Sequence, residues 1–528
     1  ESPWVVQDDA RQFIFWMQRW QNPELFPNDA IADYFQTVSP AGFKFIYRLA
    51  DWGGLQPLTF HKLLPIPLFL LTTFFCFQLT VALCPIPLSG FMGATLLNLH
   101  LGSVDTVYSA TPRAFAPLLS VAFLYFWVRQ SWLCWLTVLI AGLIYPQTLL
   151  LFLGLAIAEL IDFKKGRIQL ISDPLRLRIH GVTAGLSLSL ILFFALSISE
   201  HGPTLTAAQG QTLPELLDGG RNQFFSQSII DYWLFSTRSG YFPRSLLTPL
   251  LLIFGFALPF FCCWPNRFSL VRSLQKLSLF PKLLIVSTFW FFLAHSYLFR
   301  LHLPSRYTHY SLPIALAVAA AVSLTIGLQS FPRRYRRGLI AGTLVVIAFY
   351  PLLQSGFPVT KYKTAPQPEL YAFFQTLPTD SLIATTSSNA DYLPMFAQRS
   401  VLASAETAIP YHWGYYQPLR THIKRLLVAQ YTPDASQLQQ FLNDYDVDYW
   451  LLSPDTLILE TLRKDRWLRQ YQPEYDLAIT NLKAGRIPAL ESYLDRCLVW
   501  QSDQTYLLSA DCIRAESSES VSSLVSDN

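Results

Sequence analysis

The stretch that decides the fold runs from Leu133 to Arg167: "LCWLTVLIAGLIYPQTLLLFLGLAIAELIDFKKGR". It is apolar for more than the ~20 residues that a helix needs to cross a bilayer. Tyr145-Pro146 interrupts it midway, because proline cannot donate to the preceding turn. It therefore reads as two short helices over Leu133–Ile161 that meet within a membrane. Lys164, Lys165 and Arg167 follow at once, so the second helix ends at a basic loop.

The rest of the chain repeats this pattern. Of 528 residues, 52% are hydrophobic and only 14% are charged, against about 25% charged in soluble domains. Leu63–Leu83, Leu175–Ile198, Leu246–Trp264, Leu279–Phe299, Ser311–Leu328 and Gly338–Leu353 are expected as full-length spans. Gly90–Leu101 and Ala114–Val128 are shorter. About ten crossings result. Arg176 and Arg178 extend the first basic loop; Arg267, Arg272 and Lys276 occupy a second, and Arg333, Arg334, Arg336 and Arg337 a third. Ten crossings put all three on one side, which the positive-inside rule makes cytoplasmic. The start of the chain, Glu200–Arg244, Arg300–Tyr310 and everything after Phe357 then face outward. The expected localisation is the cytoplasmic membrane, multi-pass.

The net charge of +4 is small and dispersed, which argues against a nucleic-acid partner. Cys76, Cys84, Cys134, Cys262 and Cys263 lie in apolar segments and read as buried thiols. Gly-rich phosphate loops, His-Glu metal motifs and Gly-x-Ser-x-Gly elbows are absent. There is no internal repeat, and the apolar segments are nearly free of acids; a transporter would favour a repeat and ionisable residues near the midplane.

Four regions follow: a first outward loop (1–61), a transmembrane helical domain (62–356), an outward α/β domain (357–515) and a disordered Ser-rich tail (516–528). In the α/β domain, "SLIATT", "SVLASA" and "VDYWLLS" read as strands between the helices Pro368–Leu377, "NADYLPMFAQR", Leu419–Tyr431 and Ser436–Tyr445. That alternation predicts a partly parallel sheet. "RCLVWQSDQTYLLSADC" reads as a hairpin whose ends, Cys497 and Cys512, could pair in an oxidising compartment or remain thiols.

Asp8 and Asp9 precede Phe13, Trp16, Met17 and Trp20, which recur at helical spacing with Arg11, Gln12, Gln18 and Arg19 largely opposite. An amphipathic helix along the membrane surface is expected. Asp9 with Gln12 matches a capping box. One helix start needs one cap, so capping does not account for Asp8; a carboxylate at a membrane surface beside a helix dipole and aromatic rings could act as a general base on an acceptor hydroxyl or amine.

An Asp-Asp pair in the first outward loop, followed by an interfacial helix and many spans, resembles the GT-C superfamily of membrane glycosyltransferases. These include enzymes of the protein mannosyltransferase and aminoarabinose transferase type. The stretches "QDDARQFIFWMQRW" (7–20), "FPNDAIADYF" (26–35), "YSATPRAFAPLL" (108–119), "GPTLTAAQGQTLPELLDGGRNQFF" (202–225) and "LPSRYTHYSLP" (303–313) are similar to cyanobacterial GT-C-like proteins of unassigned specificity. The resemblance implies a span upstream of Glu1. It implies a sugar donor carried on a polyprenyl phosphate, a cell-envelope acceptor, and Asp8 as base with Asp9 capping or orienting. In some members it also implies a divalent ion, Mg or Mn.

A leaving phosphate needs cations or hydrogen-bond donors. Arg306, with Tyr307 and His309 beside it, and Arg113, with Asp105 as alternative partner, are candidates; Arg306 could equally contact headgroups. Arg221 follows two glycines and reads as a third candidate or as an exposed turn. Asp29 and Asp33, four apart, could share a metal or sugar hydroxyls, or serve as an N-cap and a surface acid. Two other classes stay open: a transporter or flippase for lipid-linked saccharides, and a non-catalytic protein that binds envelope polymer.

Overall fold

The computed structural model describes residues 2–164, 167–197 and 200–516. Lys165 and the expected disordered tail beyond residue 516 lie outside the described residues. The chain forms two compact units.

The helical unit comprises Ser39–Ile198 and Ser228–Tyr362. Among the described residues, five of its helices are long and apolar enough to cross a membrane: Pro57–Leu83, Pro174–Leu196, Leu279–Ser296, Arg306–Ser330 and Arg333–Leu353. Shorter apolar helices cover Pro112–Val128, Leu133–Ile144, Thr148–Leu160 and Leu250–Cys263. The break at Tyr145-Pro146 falls between the second and third of these. Leu70, Phe193, Leu196, Ile285, Phe289 and Leu352 are exposed, while Ala317, Ala320, Ala321 and Val322 on Arg306–Ser330 are wholly buried. Large apolar side chains outside and small ones inside suit a hydrocarbon solvent, where close helix contact replaces hydrophobic collapse. Gly93 illustrates that contact. A Cβ there would lie 2.5 Å from Thr80 Oγ1 on the facing helix, so a larger residue would push the pair apart.

Leu246–Trp264 departs from the expected full-length span. Its backbone is a 3-10 helix over Leu250–Ala257 followed by an α-helix over Leu258–Cys263. Pro249 and Pro259 remove amide donors at both starts, and the segment tightens instead of forming one long helix.

The α/β unit joins three stretches, Glu1–Val38, Ser199–Gln227 and Lys363–Asn528. Its sheet has five strands: β1 (Leu382–Ala384), β2 (Ser400–Val401), β3 (Tyr449–Leu452), β4 (Leu498–Ser502) and β5 (Thr505–Ser509). Their order is β2-β1-β3-β5-β4. β1 is parallel to both β2 and β3, with Ile383 opposite Val401 and Tyr449. β5 then runs antiparallel to β3 and β4. The sheet is thus partly parallel. Trp450, Leu508, Leu426, Leu438, Leu442 and Ile513 fill the core behind it. Cys497 and Cys512 are joined in a disulfide.

The other two stretches are held by specific polar bonds. Leu205 N–H donates to Tyr411 O (3.0 Å), and Trp413 N–H to Pro203 O (3.1 Å). Buried Glu215 accepts from Arg420 Nε (2.6 Å) and Tyr416 Oη (2.8 Å). Ala365 N–H donates to Trp4 O at 2.8 Å.

Candidate active site

The expected interfacial helix at the N-terminus does not form. The chain makes one short helical segment, Ala10–Phe13, and then a 3-10 helix, Phe15–Trp20. Ile14, Phe15, Trp16 and Met17 are buried within the α/β unit. Phe15 packs edge-on against Phe26 (5.4 Å) and Phe35 (6.3 Å). The aromatic stripe was legible as apolar, but it faces protein.

The expected capping box is also absent. Asp9 stands at the N-cap with helical torsions (φ −68°, ψ −24°) and makes no side-chain capping bond. An N-cap residue needs extended torsions for its oxygen to reach the free amides. Gln12 turns elsewhere: its Nε2 donates to Glu406 Oε1 (2.5 Å) and to Glu406 O (3.1 Å).

Glu406 is the centre of the cluster around the acidic pair. Arg11 Nη2 donates to Asp8 Oδ1 at 2.5 Å and to Glu406 Oε2 at 2.8 Å. Its Nη1 lies 3.8 Å from Asp391 Oδ2, and its guanidinium carbon sits 4.7 Å from the centre of the Tyr392 ring. Arg221 Nη2 reaches the same Glu406 oxygen at 2.8 Å. Asp391 Oδ1 accepts from the Glu406 amide at 2.8 Å. The Asp8 side chain keeps 31% of its exposure while that of Arg11 keeps 6%. A partly exposed carboxylate is therefore anchored by a buried guanidinium.

The electrostatics follow from burial. Loss of water pushes Glu406 up to about 7, against the pull of Arg11 and Arg221. Burial likewise raises Asp391, with Arg11 opposing. Burial disfavours the charge on Arg11, yet Glu406, Asp391 and Asp8 together outweigh it and raise its pKa.

Arg221, a phosphate candidate by sequence, is thus engaged by Glu406, and its backbone N–H donates to Gln470 Oε1 at 2.6 Å. Asp29 caps the helix Ala30–Val38, accepting from the amides of Ile31 (2.8 Å) and Ala32 (3.0 Å). Asp33 pairs with Arg19 at 2.7 Å. The two carboxylates serve separate partners. Among the described residues, one group of three potential metal ligands has its donor atoms within 4.8 Å of one another: Cys497, Cys512 and Glu516. Its two sulfurs are bonded to each other, so that donor set does not suit Mg or Mn.

On the helical unit, Asp105 accepts from Arg113 at 2.8 Å, with Lys361 at 3.4 Å. Burial acts to raise Asp105, but the two cations outweigh it and hold its carboxyl below the usual range. Tyr307 is buried and donates to Leu301 O at 2.6 Å. The His309 ring meets Gly240 O at 3.2 Å. Arg306 lies 5.7 Å from the centre of the Tyr310 ring.

Sequence reading missed Glu406 and Asp391. Each follows a parallel strand, Asp391 after β1 and Glu406 after β2. The carboxyl ends of such strands are where open α/β sheets present functional groups. That position was the available signal.

No family model matches the chain, and no curated protein matches it. Among solved structures, the chain is similar to the Archaeoglobus fulgidus oligosaccharyltransferase tethered by a disulfide to an acceptor peptide containing the NVT sequon. The TM-score is 0.49 and the identity 10%, covering 90% of this chain and 68% of that one. The archaeal oligosaccharyltransferase AglB from the same organism, in complex with an inhibitory peptide and a dolichol-phosphate, gives the same four values: TM-score 0.49, 10% identity, 90% and 68%. The apo form gives 0.46 at 12% identity, covering 89% and 68%.

Proposed function

We propose that this protein is a membrane glycosyltransferase that moves a sugar from a polyprenyl-phosphate carrier to an acceptor outside the cytoplasmic membrane. Asp8 is the proposed general base. The observation that carries the reading is the partly exposed Asp8 carboxylate fixed at 2.5 Å by the buried Arg11. A base must be held still while one face stays open to the incoming acceptor. Asp8 takes the proton of an acceptor hydroxyl or amine as the freed lone pair attacks the anomeric carbon. The bond from that carbon to the phosphate oxygen breaks, and the polyprenyl phosphate leaves with the electron pair.

The helical unit suits a donor that stays dissolved in lipid. On that unit Arg306, with Arg113, is the proposed contact for the carrier's phosphate. Tyr307 and His309 support the fold around Arg306 through their backbone contacts. Asp9 is the proposed orienting partner of the acceptor.

The test is Asp8→Asn in cells lacking the wild-type copy, with envelope glycans profiled by mass spectrometry. Loss of a glycan and accumulation of its lipid-linked donor is the expected result. Transfer at the wild-type rate would overturn the base assignment. A profile identical with and without the whole protein would overturn the enzyme reading.

A further inference from the structure

Three carboxylates surround two guanidiniums in the α/β unit: Asp8, Asp391 and Glu406 face Arg11 and Arg221. With every group ionised, the acids outnumber the cations by one. The acids also differ in solvent access. Side-chain exposure is 31% for Asp8, 14% for Asp391 and 5% for Glu406. Glu406 is the most confined, bound by Arg11, Arg221 and Gln12 through its carboxylate and by Asp391 through its amide. A single nitrogen, Arg11 Nη2, donates both to Asp8 Oδ1 and to Glu406 Oε2.

We propose that Glu406 is a positioning residue for the transfer reaction, holding in place the Arg11 guanidinium that in turn fixes the Asp8 carboxylate. This rests on the reading of Asp8 as base. Glu406 itself touches no reacting atom. When Glu406 is ionised, its Oε2 accepts charge-assisted bonds from Arg11 and Arg221 and holds the Arg11 guanidinium against Asp8. When Glu406 is protonated, that grip weakens. Arg11 then has freedom to shift, and the Asp8 carboxylate it anchors moves away from the acceptor.

The groups facing Glu406 are Arg11 and Asp8 from the first segment, Arg221 from the turn after Gly219 and Gly220, and Asp391 and Tyr392 from the segment after β1. The two arginines favour the ionised form, while Asp391, Asp8 and above all burial oppose it. The balance falls near neutrality, so ordinary changes in external pH would move Glu406 between its two forms. Transfer is expected to rise with pH through this range.

The experiment uses the full-length protein in its own membrane, in cells lacking the wild-type copy. Incorporation of sugar from the cells' own lipid-linked donor into envelope glycans is followed from about pH 5 to about pH 9 outside the cell, which brackets the titration. Wild type should show a rise near neutrality. Glu406→Gln keeps the side chain's shape and removes its charge. It should lower transfer at least about tenfold, as misplacement of a base does, and abolish the rise. Glu406→Asp restores the charge and should bring back a pH-dependent rise. Glu406→Gln with the wild-type profile overturns the inference. Should Glu406→Gln fail to accumulate in the membrane, Glu406→Asp decides alone: a displaced rise supports the inference and an unmoved one overturns it. The underlying reading is tested apart, since Asp8→Asn at full activity would sink it whatever Glu406 does.

Discussion

Arg11 and Glu406, 395 positions apart in the sequence, meet at 2.8 Å with both side chains almost wholly buried. The contact binds the first segment of the chain to the α/β sheet, and it places a fixed positive charge against Asp8.

Removing Arg11 should therefore be costly. Arg11→Ala leaves Glu406 and Asp391 buried without their main counter-charge, a loss of about 3–5 kcal/mol for a broken buried pair. Arg11→Lys keeps the charge but loses the two-pronged guanidinium and should fall between. Thermal unfolding of detergent-solubilised protein, followed by intrinsic tryptophan fluorescence, orders the three proteins; an Arg11→Ala variant as stable as wild type would contradict the contact.

The pH dependence of stability has a definite sign. Glu406 rises from 4.5 to about 7 on folding, chiefly through burial. The folded state therefore holds this proton more tightly than the unfolded chain does. That contribution is complete below about pH 4.5 and is lost as pH climbs through about 7. Relative to Glu406→Gln, wild type should lose melting temperature across that window and run parallel to the variant above it. Parallel curves throughout would refute the shift.

Glu159 is buried at the end of the helix Thr148–Leu160 and pairs with both Arg176 and Lys282. Glu159→Leu leaves two cations facing each other across helices Pro174–Leu196 and Leu279–Ser296. A loss of about 3 kcal/mol is expected. Glu159→Gln, which can still accept hydrogen bonds, should cost less, and melting in lipid nanodiscs would rank the two.

The Cys497–Cys512 bridge closes a span of 15 residues. Replacing both with serine should cost about 3 kcal/mol by the loop-entropy relation. Comparable unfolding of wild type with and without reductant would indicate that the bridge does not form in the cell.

Sidedness can be checked in a Cys263→Ser background, since Cys263 is exposed. Lys483→Cys on the α/β unit should react with a membrane-impermeant maleimide in intact cells. Arg272→Cys, in a basic loop, should react after lysis alone. The reverse pattern would invert the topology.

How much of this was legible in sequence depends on the range over which each signal acts. The break at Tyr145-Pro146, the strands around Ile383, Val401 and Trp450 and the 497–512 pair are set by neighbouring residues, and local pattern found them. The apolar stripe Phe13–Trp20 was found, but its solvent was misjudged, because Phe26 and Phe35 bury it. In Leu246–Trp264, Pro249 and Pro259 outweigh the hydropathy, because each removes an amide donor at a helix start. Glu406 and Asp391 carry no local mark beyond their place after strands. Their roles arise from Arg11 and Arg221, which lie 395 and 185 positions before Glu406, and no local window of sequence contains both ends.

The three-stretch make-up of the α/β unit dictates an order of assembly. At common synthesis speeds, a ribosome needs roughly 20 to 80 seconds to travel from the codon for Arg11 to that for Glu406. During that interval the opening segment has emerged while its partners are still untranslated. The helices encoded in between enter the bilayer first, so docking of the opening segment is a late, post-insertional event, and any chain terminated before Glu406 would be released with its Asp8–Arg11 pair unanchored.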